Sequence, residues 1–410
     1  MINTLTRLSS LFVGLSVLLI GHGLQQTLIP LTASAMGWSM SQISFLGAGY
    51  FCGFIIGCYR IPRWIRRVRH ARVFAATCGL AVLAVLCFKF TDELWVWIAL
   101  RALTGFSFAG LYLVIESWLN SATPNERRGT VMSLYSVVSL LALTGGQWFA
   151  AIDISTGIVL VAIFFSIAIY PIALTGAHQP DVPNSVSLSF SETYRTSQVA
   201  PINAAAAGFI MALAWSVGAV FAVESLSTTG VGTDFISFVL LGGVFSLLPI
   251  GRLSDHVDRR WVMFVTGAIG AVTSIYAWLY PTSYTLIMGA AFVVGATAMP
   301  LYSLAIAHAN DNARDNFLIV GGTLLVSNGI GAVLAPLMFA GLAAFFSIQN
   351  LFFLLIGLGF TVTSLVTVWR IAVHPVARNY FEPYQPVSRT TFGAVELDPR
   401  ADELTVDVRK

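Results

Sequence analysis

Apolar residues in this chain gather into long runs separated by short polar breaks. A helix that crosses a hydrocarbon core about 30 Å thick needs roughly 20 mostly apolar residues. Twelve runs meet that requirement. Their limits are 8–30, 42–59, 73–90, 94–119, 129–151 and 156–176 in the first half, and 201–224, 233–251, 260–280, 283–308, 317–344 and 349–371 in the second. The pattern predicts an all-α membrane protein with twelve transmembrane helices in two six-helix pseudo-repeats. The domain plan is a six-helix half over 1–176, a cytoplasmic linker over 177–200, a second half over 201–371 and a charged tail over 372–410, read as largely disordered. The first run, from Leu8, leads directly into the others and reads as a spanning helix rather than a cleaved signal.

Charge orients the bundle, because loops rich in Lys and Arg stay in the cytoplasm. With both termini inside, all but Lys89 and Arg101 of the 22 basic residues fall on cytoplasmic segments. The densest group is Arg60, Arg63, Arg66, Arg67, Arg69 and Arg72. Its position between two spans makes anionic lipid headgroups its expected partner, with no role for nucleic acid. A cytoplasmic-membrane location and a monomer are expected.

Composition agrees. Only 10% of residues are charged, against about 25% in soluble proteins. The 35 glycines suit close helix contact in lipid. Cys52, Cys58, Cys78 and Cys87 all lie in apolar runs, so they read as packing residues and not as a disulfide framework. No metal site, cofactor or enzyme activity is expected. The chain carries neither a phosphate-binding loop, nor a zinc-protease helix, nor a nucleophile elbow.

The halves repeat. An offset of 194 pairs Gly57 with Gly251 and Gly49 with Gly243. An offset of 190 pairs Gly105 with Gly295, Tyr112 with Tyr302 and Asn120 with Asn310. Duplicated halves commonly enclose a central substrate site near mid-membrane.

Ionisable groups inside spans are functional candidates by default. Arg101 lies in span 4, facing a cavity or bonded to carbonyls, as a functional group or a tether between helices. His22 lies in span 1, with Gln26 on the same face and Gln25 one residue earlier. It serves as a proton carrier, a substrate contact or a structural polar group. Glu116, near the cytoplasmic end of span 4, is a gating ion-pair partner of Arg127, Arg128 or the loop arginines, or a proton-coupling acid. Tyr112, Trp215, Tyr302 and Asn328 are candidate cavity walls, as are Ser216, Gln147 and Trp148. Pro30, Pro249, Pro300 and Pro336 are expected to kink or end their helices. Glu224 is placed at the outer interface.

The segment GRLSDHVDRR, Gly251 to Arg260, resembles the loop signature of the major facilitator superfamily: a Gly, then an Asp, then a basic pair. The glycine lets helix ends touch, Asp255 pairs with a cation or caps a helix, and the arginines hold the loop inside. The first-half copy, GCYRIPRWIRRVRH, keeps Gly57 but has Ile61 where the Asp is expected. RALTGFSFAG, Arg101 to Gly110, resembles the family's Arg with spaced glycines, frequent in proton-coupled members. The antiporter signature on span 5 is absent, since LALTGGQWF has no Pro. LYLVIESWLNSATPNERRG and FGAVELDPRADE resemble a bacterial YcaD-like subgroup. The resemblance covers about residues 1–375. It implies a gating loop formed by Gly57, Gly251, Asp255, Arg259 and Arg260, and a secondary transporter of a small organic solute working by alternating access, with protons as the coupling ion. A uniporter and a lipid or amphiphile flippase on the same fold remain open alternatives.

Overall fold

The computed structural model describes residues 2–123, 127–150, 152–173, 188–228, 230–311, 313 and 317–373. Its first half holds α1 (Ile2–Ala35), α2 (Met40–Val68), α3 (His70–Cys87), α4 (Leu94–Ala122), α5 (Arg128–Gln147), α6 (Ile154–Ile167) and the short α7 (Ile169–Ala173). After α8 (Phe190–Thr196) come α9 (Val199–Leu226), α10 (Val231–Ser254), α11 (Arg259–Leu279), α12 (Tyr284–Asn310), α13 (Phe317–Leu342) and α14 (Ile348–Val373). Among the described residues, twelve helical segments are long and apolar enough to cross a membrane: α1 to α6, the sixth running on to Pro171, and α9 to α14. No strand occurs among the described residues.

Two expectations change and a third is narrowed. The break after span 2 is not a loop at Gly57, because α2 continues through Pro62 to Val68. Ile61 and Ile65, one turn apart, are both buried and hold that extension in place. Arg60, Arg63, Arg66 and Arg67 therefore stand exposed along a helix. The linker also contains a helix, α8, which begins on Ser189, whose side chain accepts from the Glu192 N–H. Pro30, Pro249, Pro300 and Pro336 all lie inside their helices and end none of them. Residues 174–187 and the tail from 374 onward, with its expected disorder, lie outside the described residues.

Lipid tails are as apolar as leucine, so packing rather than the hydrophobic effect holds such helices together. The closest partners are α2 with α4, α10 with α12, α9 with α13, α1 with α5, and α11 with α14. The sequence repeat is visible in this packing. Gly105 of α4 sits against the Tyr50 carbonyl of α2, and its repeat mate Gly295 of α12 sits against the Val239 carbonyl of α10. A Cβ at either position would collide with backbone.

The halves meet mainly through α2 with α13, α5 with α10, and α1 and α2 with α9. At the ends remote from the arginines, the Ser41 hydroxyl donates to the Ala340 carbonyl at 2.7 Å. Gly47 there abuts Ser216. On the arginine-bearing face, Leu188 packs on Cys58, Ala109 and Leu325, residues from both halves. The Ser189 N–H donates to Thr323 Oγ1 at 3.1 Å.

Candidate functional site

Between the halves lies a cavity of about 1330 Å³, counted out to its open mouth. Tyr50, Phe54 and Cys58 line it from α2, one helical turn apart, and Tyr112 lines it from α4. Across from them stand Trp215 of α9, Tyr302 of α12 and Asn328 of α13. Among the described residues, no Lys, Arg, His, Asp or Glu lines the wall. Such a surface offers aromatic faces and a few hydroxyl and amide groups to a small organic molecule. Asn328 is held in place by donating its amide to the Ala204 carbonyl at 3.0 Å.

The charged candidates lie one layer behind that wall. His22 of α1 stacks on Phe108, with ring centroids 3.7 Å apart. Its Nε2 lies 3.2 Å from the Tyr50 hydroxyl. Arg101 is 3% exposed. It does not face the cavity: its Nη2 donates to the side-chain carbonyl of Gln26 at 2.5 Å, and its guanidinium carbon lies 4.8 Å from the Tyr50 ring centroid. Arg101 Nε and Nη1 have no hydrogen-bond partner, and neither atom of the fully buried Gln25 amide has one. Tyr50 therefore belongs to both layers, touching His22 and Arg101 behind and the cavity in front.

Gln147 ties α5 to α1, accepting from the Thr27 hydroxyl at 2.6 Å and donating to the Gly23 carbonyl at 2.9 Å. Trp148, the next residue, is 82% exposed and is not a cavity wall. Glu116 is fully buried and accepts from the Tyr135 hydroxyl at 3.1 Å. It lies one turn along α4 from Tyr112. Glu224 is exposed near the end of α9.

The loop after α10 forms a compact ionic knot. Arg259, fully buried, donates from Nε to Asp311 at 2.8 Å. It also donates from Nη1 to the Ser254 hydroxyl at 2.8 Å and from Nη2 to Asp255 at 3.4 Å. Gly251 is buried in the last turn of α10, and its carbonyl accepts from the Ser254 hydroxyl at 2.7 Å. Gly57, its counterpart in the first half, lies against Ala109 and Phe106 of α4. Arg260 pairs with Asp258 at 2.6 Å. Burial alone would raise the Asp258 pKa, but its hydrogen bonds to Arg260 and the charge of that guanidinium hold it below the usual carboxylate value. No cluster of three or more His, Cys, Asp or Glu able to hold a metal occurs among the described residues.

Sequence reasoning missed Tyr50, Tyr135 and Asp311. A signal for the first was available: Tyr50, Phe54 and Cys58 recur every four residues, which puts them on one face of α2. Tyr135 and Asp311 carry no local signal, since each is defined by a partner on another helix.

The family described as Major Facilitator Superfamily matches residues 11–201 and 201–396. The MFS-type transporter YcaD of Escherichia coli O45:K1 (strain S88 / ExPEC) is 26% identical over 362 residues, covering 84% of this chain and 90% of YcaD. An MFS-type transporter of Yersinia pestis (strain Pestoides F) is 24% identical over 357 residues, covering 85% of this chain and 92% of its own length. Among solved structures, the nucleoside transporter NupG superposes with a TM-score of 0.71 at 11% identity, over 88% of this chain and 98% of NupG. A bacterial homologue of the human lysosomal transporter Spinster, inward-facing and occupied, gives 0.66 at 14% identity, over 89% of this chain and 94% of its own.

Proposed function

Since the chain belongs to the major facilitator superfamily of transporters, we propose that it carries a small organic solute across the bacterial cytoplasmic membrane by alternating access. Both termini lie in the cytoplasm, and the exposed arginines of α2 rest on anionic lipid headgroups. The observation that carries this proposal is the aromatic cavity, bounded by both halves at mid-helix level. A solute seated between Tyr112, Trp215 and Tyr302 touches α4, α9 and α12 together. Rocking one half against the other then changes which mouth reaches it. In the structure the halves touch at the ends remote from the arginines, through Ser41 and Ala340.

Protons couple to this cycle through a buried imidazole and a buried carboxyl behind the wall, those of His22 and Glu116. His22 communicates with the cavity through the Tyr50 hydroxyl, and Glu116 lies one turn from Tyr112. Each takes up and releases its proton as the surrounding helices open to water. Arg101, permanently charged, sets the field that His22 experiences.

A fluorescence screen of metabolites against purified protein, read from Trp215, identifies ligands. Counterflow in proteoliposomes then tests transport. Ligands are expected to exchange across the vesicle wall, and an imposed pH gradient is expected to raise net uptake. The His22→Ala, Glu116→Gln double variant is expected to keep counterflow and lose that response. Binding without exchange would refute transport. Gradient-blind uptake by the unmodified protein would leave a uniporter, and translocation of labelled lipid in place of the solute would leave a flippase.

A further inference from the structure

Arg101 raises a problem of charge balance. It is buried in the first half of the bundle, and among the described residues no carboxylate pairs with it. Its three guanidinium nitrogens hold five N–H groups, and only Nη2 reaches an acceptor, the Gln26 amide. A cation buried in hydrocarbon costs several kcal/mol unless its donors are satisfied. The face of the Tyr50 ring, 4.8 Å from the guanidinium carbon, offsets part of that. A guanidinium that served only to tether helices would have its donors filled by carbonyls, as Gln147 fills its own between α1 and α5. Here Nε and Nη1 are left over. One residue before Gln26, the buried Gln25 amide offers two further unsatisfied polar atoms.

The cavity shows the complementary feature. Its wall is aromatic and uncharged, so it can hold an apolar body but cannot by itself recognise an anion. The two features are separated by one side chain, Tyr50, which faces the cavity and lies under the guanidinium.

We propose that the solute is an organic monoanion whose carboxylate docks on Arg101 when the Tyr50 ring swings aside, while its apolar body stays among Tyr112, Trp215 and Tyr302. The proposal rests on the cavity being the transport site and adds the charge class of the solute. One guanidinium balances one negative charge, so polyanions are excluded. No proton or bond needs to change in the docking step. The ring moves, the anion replaces it over the guanidinium, and a charge-assisted hydrogen bond forms at a donor that now has no acceptor.

Matched pairs test it: benzoate with benzamide, phenylacetate with phenylacetamide, and indole-3-acetate with its amide, each titrated into the purified full-length protein with melting temperature and tryptophan fluorescence as readouts. At least one acid is expected to bind about 10- to 100-fold more tightly than its own amide. Arg101→Gln is expected to bring acid and amide level, while Arg101→Lys retains a weaker preference for the acid. If Arg101→Gln does not fold, the lysine variant carries the comparison, and loss of all acid preference there overturns the proposal. An amide that binds as well as its acid would leave the cavity as a solute site and remove the anion. An Arg101→Gln protein that still prefers acids would place the anion elsewhere. Absence of binding by every pair also overturns the proposal and leaves transport itself to the counterflow assay.

Discussion

Arg259→Ala is expected to destabilise the protein by about 3–5 kcal/mol, the usual cost of removing one partner from a buried ion pair. Arg259 is fully buried and Asp311 nearly so. The truncation takes from the Asp311 carboxylate its buried cation, and it also removes the donor shared by the Ser254 hydroxyl and Asp255. Because Asp311 follows the last turn of α12 and Arg259 opens α11, the pair clamps those two helices at the face where α10 ends. Denaturant titration in detergent measures the loss. Asp311→Ala alone is expected to cost a similar amount, and the double variant well under the sum of the two, because both changes break the same ion pair. Additive costs would show that the two side chains act separately. Asp258 and Arg260 provide the contrast. They pair only two residues apart, with Arg260 buried but Asp258 about a quarter exposed, so Arg260→Ala is expected to cost less than Arg259→Ala.

How much of this was legible in advance follows from the solvent. In lipid every backbone group must bond within its own helix, so apolar runs alone mark the spans, and all twelve are found. The same condition made Arg101, His22 and Gln26 conspicuous, because a polar group in such a run needs a reason to be there. Their grouping in space also followed in part, since His22 and Gln26 are one turn apart. The depth of Arg101 was not legible. Whether a side chain faces a cavity or lies one layer behind it depends on Tyr50, a residue of another helix. The extension of α2 was hidden because Pro62 and the arginines look like a loop. Only the burial of Ile61 and Ile65 shows why the helix persists. The gating segment gave its own residues, but Asp311, the acid that engages Arg259, stands 52 residues away.

Gly105→Leu is expected to abolish the folded protein, measured as loss of a monodisperse peak in size-exclusion chromatography. A Cβ at that position overlaps the Tyr50 carbonyl oxygen and crowds the Phe54 nitrogen, which are backbone atoms that no rotamer change can move. The leucine forces α4 away from α2, the closest helix pair of the first half, and removes dispersion contacts along its length. Gly295→Leu is expected to do the same to α12 against Val239 of α10. Gly79→Leu is the control. Nothing lies within 4 Å of its Cβ position, so better helix propensity leaves it neutral or more stable by up to about 1 kcal/mol. The milder Gly105→Ala separates packing from function. It is expected to cost at least about 1–3 kcal/mol as an overpacked contact, because the Tyr50 carbonyl of α2 must withdraw by about 1 Å or more to clear the new Cβ. That shift carries the Tyr50 hydroxyl off His22 and its ring off Arg101, so the alanine variant is expected to lose the pH-gradient response while still exchanging ligand. A folded Gly105→Ala protein with an intact gradient response would show that the position of Tyr50 is not what links the cavity to the charged layer behind it.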